Sequence, residues 1–199
     1  MTAARATPLF IFDVGGVMVD GFDVAPAMAA EFGMDPASLE AALAEAGARA
    51  LHEGAIPVAE FWDRFEAATG RRPRGEPWAD YFHPSRRPAM YALVDRLRRS
   101  GARVVAGTNT IDPHYEAHVR RGDYDVFDRV YASNLMGVSK PDPAFWRAIL
   151  EAEGAEPPAA FFVDDMPENV AAAAALGIAA VRFESVPQVS AAVIAAAGG

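Results

Sequence analysis

From Leu9 to Phe12 the chain is wholly apolar, and the run stops at Asp13. So short a run, closed by a carboxylate, predicts a buried strand with an acid at its C-terminal end. Gly15 and Gly16 then allow a sharp turn, and Met18 and Val19 are expected to leave the sheet as a flap. From about Val24 to Tyr81 the period changes. Helical spacing runs through Pro26–Phe32, Pro36–Leu51 and Val58–Thr69, with Pro26, Pro36 and Pro57 at first-turn positions and Asp35 placed as a cap. No strand pattern interrupts this stretch, so it reads as a small helical module inserted after the first strand. Gly70–Pro88, rich in Arg, Gly and Pro, leads back as a loop.

Beyond Pro88 short apolar runs alternate with helical ones. Helices are predicted at Pro88–Ser100, Pro113–Arg121, Pro141–Glu153, Pro167–Leu176 and Pro187–Ala197, and strands at Arg103–Gly107, Arg129–Tyr131, Ala160–Val163 and Ile178–Phe183. Such alternation predicts an α/β fold, a Rossmann-like parallel sheet with helices on both faces. The core is assigned to residues 1–21 and 84–199 and the inserted helices to 22–83. The Ala-rich stretches are helix formers, not linkers, and there is no internal repeat.

Composition narrows the function. A chain of 199 residues can bury one good core and a small accessory unit. Apolar residues at 52% and charged residues at 23% are the balance of a folded soluble protein. The longest apolar stretches are broken by Asp13 and by Asp164–Asp165, which argues against a membrane span. No signal-peptide pattern opens the sequence, so a cytoplasmic location is expected. With no cysteine there are no disulfides, thiolate nucleophiles or zinc–cysteine sites. A net charge of −9 argues against nucleic acid as a partner. The one basic cluster, Arg71, Arg72 and Arg74, reads as a solvated loop. A small phosphate substrate stays compatible, because a local cation can reverse the field inside a site. Oligomeric state is left open.

Three predicted strands end in polar groups: Asp13, Thr108–Asn109 and Asp164–Asp165. Lys140 lies between the last two in a Ser-Lys-Pro-Asp-Pro loop. Ligands of open parallel sheets bind beyond the carboxyl ends of the strands, so these groups are expected to meet at one edge. Three close carboxylates repel unless neutralised, and a hard divalent cation such as Mg²⁺ neutralises them with oxygen ligands. Lys140 adds a fixed positive charge, Thr108 and nearby backbone N–H groups can donate to phosphoryl oxygens, and Asp13 can attack phosphorus to form an aspartyl-phosphate. Taken singly, each residue has a plainer explanation: a turn aspartate, a loop threonine, a surface lysine. Their order and their placement at strand ends carry the functional reading.

These segments resemble the four motifs of the haloacid dehalogenase superfamily: FIFDVGGVMVD, VVAGTN, Lys140 in GVSKPDP, and FFVDDMPENV. Within it the chain is similar to the small helical-cap phosphatases of the α-D-glucose-1-phosphate phosphatase type. That closer likeness rests on Asp-x-Gly-x-Val in the first motif, on Thr-Asn-Thr with His114 downstream, and on LHEGAIPVAEFW in the inserted helices. The resemblance implies that Asp13 is nucleophile and metal ligand, with the Gly15 carbonyl as a second ligand. It implies that Thr108 and Asn109 hold the phosphoryl group and that Lys140 neutralises Asp13 and phosphate. Asp165 would contact the metal directly and Asp164 the metal or its water, and the inserted helices would close over the site as a cap.

One position departs from the pattern. Most phosphatases of this superfamily carry a second Asp two residues after the nucleophile, where this chain has Gly15. That acid–base is worth ~10²–10⁴ in rate, or roughly 3–5 kcal/mol. A good leaving group, such as the anomeric oxygen of a sugar 1-phosphate, offsets part of the loss. His114, Glu53 and Asp20 are candidate replacement bases, and His52, Glu53, Trp62 and Phe65 are candidate substrate contacts, with packing inside the helices the simpler role for Trp62 and Phe65. The expected function is a Mg²⁺-dependent phosphohydrolase acting on a small phosphorylated metabolite such as a sugar phosphate. Two other functions stay open. One is a metal-independent 2-haloacid dehalogenase, against which the Asp164–Asp165 pair argues. The other is a catalytically silent phosphate-binding protein, which Gly15 favours and Asp13 and Lys140 disfavour.

Overall fold

The computed structural model describes residues 8–198; residues 1–7 and 199, included in the core boundaries given above, lie outside the described residues. The chain opens with β1 (Leu9–Phe12) and a short β2 (Val19–Asp20). It continues through α1 (Ala25–Phe32), α2 (Pro36–Ala46), α3 (Ala48–His52), α4 (Val58–Thr69) and α5 (Pro77–Asp80). It then runs through β3 (Ser85–Arg86), α6 (Pro88–Arg99), β4 (Arg103–Thr108), α7 (Asp112–Arg121), β5 (Arg129–Ala132) and α8 (Ser133–Met136). The last elements are α9 (Pro143–Glu153), β6 (Ala160–Asp164), α10 (Pro167–Ala175), β7 (Ala179–Arg182) and α11 (Val186–Gly198).

Five strands form one parallel sheet in the order β5-β4-β1-β6-β7. The chain starts at the centre, builds outward through β4 and β5, then crosses to β6 and β7. The direction of winding therefore reverses beside β1, which puts a ligand crevice at its carboxyl end. Both faces of β1 are covered, which is why it is apolar throughout. Phe10 and Phe12 pack with Met90, Leu93 and Val94 of α6 and Val189 and Val193 of α11. Leu9 and Ile11 pack with Phe145, Trp146 and Ile149 of α9 on the other face.

Several boundaries differ from the sequence expectation, each for a local reason. The predicted helix Pro36–Leu51 breaks at Gly47, whose φ of 97° ends α2 before α3 begins. The helix expected from Pro141 starts at Pro143, because the Asp142 carboxylate caps it by accepting from the Ala144 N–H at 2.9 Å. The expected loop Gly70–Pro88 contains α5 and β3, and β3 pairs antiparallel with β2 (Val19 with Arg86, Asp20 with Ser85). The flap thus returns as a two-stranded ribbon, with the inserted helices strung between its arms.

Those helices enclose their own apolar cluster, built on Phe32, Phe61, Trp62, Phe65, Trp78 and Phe82. The Phe65 ring lies 4.9 Å from Phe32 and 5.5 Å from Trp62, and the Trp62 indole N–H donates to Glu76 at 3.1 Å. Trp62 and Phe65 therefore pack the module. Contact with the core runs through Phe82, whose ring stacks on His114 at 3.8 Å, and through Gly54, which lies so close to the Asn134 carbonyl that a Cβ would overlap it. No described helix is long and apolar enough to cross a membrane.

Two predictions follow from this packing. Phe65→Ala is expected to lower stability by ~3–5 kcal/mol in urea unfolding, as for other large buried rings; an unchanged midpoint would place the module's stability elsewhere. Burial holds the His114 imidazole far below its ordinary 6.5, at about 3, with a Trp78 backbone hydrogen bond only partly opposing it. The unfolded chain takes up that proton near 6.5 and the folded chain does not, so this contribution is intact above pH 6.5 and declines as pH falls towards 3. At pH 5 the decline is up to ~2 kcal/mol. His114→Phe, which keeps a ring on Phe82, should lose less stability than the wild type between pH 7.5 and 5 by about that amount. Equal losses in the two proteins would show that His114 does not carry the effect.

Candidate active site

The β1–β6 ladder runs one residue past β1: the Asp13 N–H donates to the Val163 carbonyl at 2.9 Å. This bond sets Asp13 beside Asp164, the last residue of β6. Between their carboxylates lies the Lys140 ammonium, 2.9 Å from Asp13 Oδ1 and 2.6 Å from Asp164 Oδ2. The Lys140 side chain is 1% exposed and that of Asp164 is fully buried. Asp164 is held on both oxygens: its Oδ1 accepts from the Met166 N–H at 2.8 Å and from Asn169 Nδ2 at 3.0 Å, while Oδ2 accepts from Lys140 alone among the described residues. It thus fixes the turn into α10 as well as the lysine.

Asn109, just past β4, holds Lys140 by its backbone. Its Nδ2 donates to the Lys140 carbonyl and its Oδ1 accepts from the Lys140 N–H, both at 2.9 Å. Both polar ends of this side chain are spent on the lysine loop. Thr108 is buried at the end of β4, and its hydroxyl makes only a 3.5 Å contact with the Asn109 carbonyl. That is the limit of a hydrogen bond, so the hydroxyl is available to a ligand. Ser139, beside Lys140, donates to Glu53 of the inserted helices at 2.8 Å.

Asp165 approaches from the other side. Gly16, at φ 74°, lies directly under its carboxylate, and a Cβ at Gly16 would overlap it. Oxygens of Asp13, Asp164 and Asp165 lie within 4.8 Å of one another. Burial pushes Asp13 up to about 7, against the downward pull of Lys140 and with a further push from Asp164. Burial, then Asp164, also raises Asp165. Burial would lower Lys140, but Asp13 and Asp164 outweigh it and keep the ammonium charged. Three carboxylates against one ammonium leave the pocket short of positive charge. The donors are all hard oxygens, close-set and partly unneutralised, which is a set that suits Mg²⁺.

Gly15 offers no acid, and its flank is filled: a Cβ there would lie 3.3 Å from the Phe22 ring. The three candidate bases have structural partners instead. His114 sits in the aromatic contact with Phe82 and Trp78. Asp20 pairs with Arg87. Glu53 pairs with Arg49 at 2.9 Å and with Ser139; these bonds outweigh the upward push of burial and hold it below its ordinary range. A cleft of about 240 Å³ opens beside the lysine, lined by Arg49, His52, Asn109, Ser139, Lys140 and Pro141. A larger cavity of about 650 Å³ lies at the opposite end of the sheet, by Leu9 and Arg103. Four of the five charged residues on its wall are paired with each other, Arg103 with Glu153 at 2.7 Å and Arg98 with Asp128 at 2.9 Å.

The sequence pointed to Asp13, Gly15, Thr108, Asn109, Lys140, Asp164 and Asp165: Asp13 and Gly15 follow β1, Thr108 and Asn109 stand at the end of β4, Asp164 and Asp165 at the end of β6, and Lys140 reaches Asp13 and Asp164 from the loop before α9. It did not reveal the Asn109 clamp, the Asn169 bond to Asp164, or the approach of Asp165 to Gly16. Only the last left a trace, in the doubled glycine after the nucleophile position.

A family model described as haloacid dehalogenase-like hydrolase matches residues 7–177. Among curated proteins the chain is similar to the sesquiterpene phosphatase astK of Aspergillus oryzae, 33% identical over 95 residues that make up 47% of this chain and 48% of that protein. It is also similar to a phosphoserine phosphatase of Thermus thermophilus, 33% identical over 144 residues, 68% of this chain and 58% of that one. The chain thus spans about half the length of these curated relatives. A HAD family enzyme from Bacteroides thetaiotaomicron, solved in complex with magnesium and inorganic phosphate, shares the fold at a TM-score of 0.72 and 23% identity, over 90% of this chain and 95% of that one. The match over residues 7–177, on a parallel sheet with acids at its carboxyl edge, shows that the chain belongs to the haloacid dehalogenase-like hydrolase family.

Proposed function

We propose that the protein is a Mg²⁺-dependent phosphohydrolase acting on a small phosphate monoester through an aspartyl-phosphate on Asp13. The observation that carries this reading is the Lys140 ammonium between Asp13 and Asp164, with Asp165 close by, at the point where the sheet reverses direction. Asp13, Asp165 and the Gly15 carbonyl are the groups to hold the metal, with Asp164 at the metal or its water. When bound, Mg²⁺ would screen the charge between carboxylates and phosphate. Asp13 attacks phosphorus, the ester P–O bond breaks, and the leaving oxygen takes its proton from solvent because Gly15 supplies none. Water then cleaves the phosphorus–oxygen bond to Asp13, which releases inorganic phosphate and restores the carboxylate. Thr108, the Asn109 N–H and Lys140 stabilise the phosphoryl oxygens throughout.

Residues 22–83 act as the cap in this proposal, and 8–21 with 84–198 as the core. The relatives' names, one a phosphoserine phosphatase and one a sesquiterpene phosphatase, support phosphate ester hydrolysis over dehalogenation. They do not agree on a substrate, so the sugar phosphate expected from sequence stands as one candidate. The silent binder remains the second reading, because Gly15 lacks the acid and the structure offers no replacement in its place.

Phosphate release from a panel of monoesters is expected with Mg²⁺ and should disappear with EDTA and in Asp13→Asn. Saturating Mg²⁺ should raise the melting temperature by roughly 5–10 °C at 100 times its dissociation constant, and Asp165→Asn should lose most of that shift. Stabilisation without turnover would favour the silent binder, and metal-free chloride release from 2-haloacids the dehalogenase. Restoring the acid gives a second test. Gly15→Asp alone meets the Phe22 ring, whereas Gly15→Asp with Phe22→Ala should hydrolyse esters of poor leaving groups faster, by up to ~10²–10⁴. No gain over the wild type would mean that protonation of the leaving group does not limit the reaction.

A further inference from the structure

A cavity of about 500 Å³ lies within the inserted helices, lined mainly by Ala25, Ala29, Leu39, Leu43, Trp78 and His52. Its size falls in the ~300–1,000 Å³ range of small-molecule sites. Two residues join it to the proposed phosphate site. His52 lines both this cavity and the Lys140 cleft. Asp23, also on its wall, follows Phe22, whose ring abuts Gly15. The wall has few means to hold a polar ligand. His52 Nδ1 is paired with the Ala48 carbonyl at 2.8 Å. The indole N–H of Trp78 is buried without a partner, enough for one oxygen but not for a polyol. Asp23 and Glu40, both exposed, would repel a second phosphate.

We infer that this cavity receives the apolar carbon chain of the substrate, so that the protein prefers phosphate monoesters of hydrophobic alcohols over those of sugars. The phosphate stays at Asp13 and Lys140, and the chain runs past His52 and Phe22 into the cavity. This specificity rests on the phosphohydrolase reading given above.

The protein with Mg²⁺ is assayed on n-alkyl phosphates from ethyl to octyl, below their micelle concentrations, and on glucose 6-phosphate, whose leaving oxygen is also a primary alkoxide. Calorimetry measures the affinity of the matching n-alkylphosphonates, which cannot be hydrolysed at the carbon–phosphorus bond. Both kcat/KM and phosphonate affinity should rise about two- to fourfold for each methylene that enters the cavity, and octyl phosphate should outrun glucose 6-phosphate, an ester of the same class of primary alcohol. Leu43→Glu, which places a charge on the wall, and Ala25→Trp, which fills space, should each flatten the chain-length dependence, with circular dichroism checking the fold. Phosphate release with no dependence on chain length would overturn the inference and leave the phosphohydrolase standing. Graded phosphonate binding without turnover of any ester would sink the phosphohydrolase and keep the apolar site. Phosphonates that fail to bind, or bind equally at every length, would overturn the inference whatever the turnover.

Discussion

The Lys140 ammonium, buried 2.9 Å from Asp13 and 2.6 Å from Asp164, is the interaction around which the catalytic edge is arranged. Charges removed from water are costly unless each finds a partner and its remaining hydrogen bonds are satisfied. Here that requirement reaches into three loops. The loop after β6 supplies the Met166 N–H and Asn169 to Asp164. The loop after β4 supplies Asn109, which grips the lysine backbone at both ends. The β1–β6 ladder supplies the position of Asp13. Each loop is tied to the ammonium, so the carboxyl ends of the strands behave as one unit.

That unit is still unbalanced, because Asp165 brings a third carboxylate within 4.8 Å of the other two. A phosphate dianion brought to such a pocket meets net negative charge, and so does Asp13 when it ionises. A divalent cation there would relieve both and so couple the two ligands: each would improve the site for the other, and by the same factor. The protein's overall charge of −9 is therefore no obstacle to an anionic substrate. The local balance of charge decides.

The parts of this structure that were legible in the sequence are those set by local composition. A four-residue apolar run ending in Asp13, and another ending in Asp164, read as buried strands with acids at their ends, and alternation with helices makes the sheet parallel. What was hidden depends on partners distant in the chain. Two-residue strands such as Val19–Asp20 and Ser85–Arg86 are too short for any periodicity. The grip of the Asn109 side chain on Lys140 was hidden because its partner, the Lys140 backbone, lies 31 residues away. His114 resembled a base because it follows a Thr-Asn-Thr run, but Phe82, brought over by the inserted helices, covers it and burial removes its proton. Gly47 was read as helix interior because its positive φ leaves no mark in an otherwise regular pattern.

Gly15 ties the chemistry of the site to its shape. Read in the sequence, it is the loss of an acid. In the structure the same position is the floor on which the Phe22 ring rests, 3.3 Å from where a side chain would begin. A side chain at position 15 would press on the ring, which would have to give by a few tenths of an ångström. In the proposed reaction an aromatic ring at that position would thin the water around the leaving oxygen and lower the local dielectric. Both changes would strengthen the attraction of Lys140 for developing negative charge. On the phosphohydrolase reading proposed above, the catalytic burden would move from proton transfer to fixed charge, and the Lys140–Asp164 arrangement is the part of the site that would carry it.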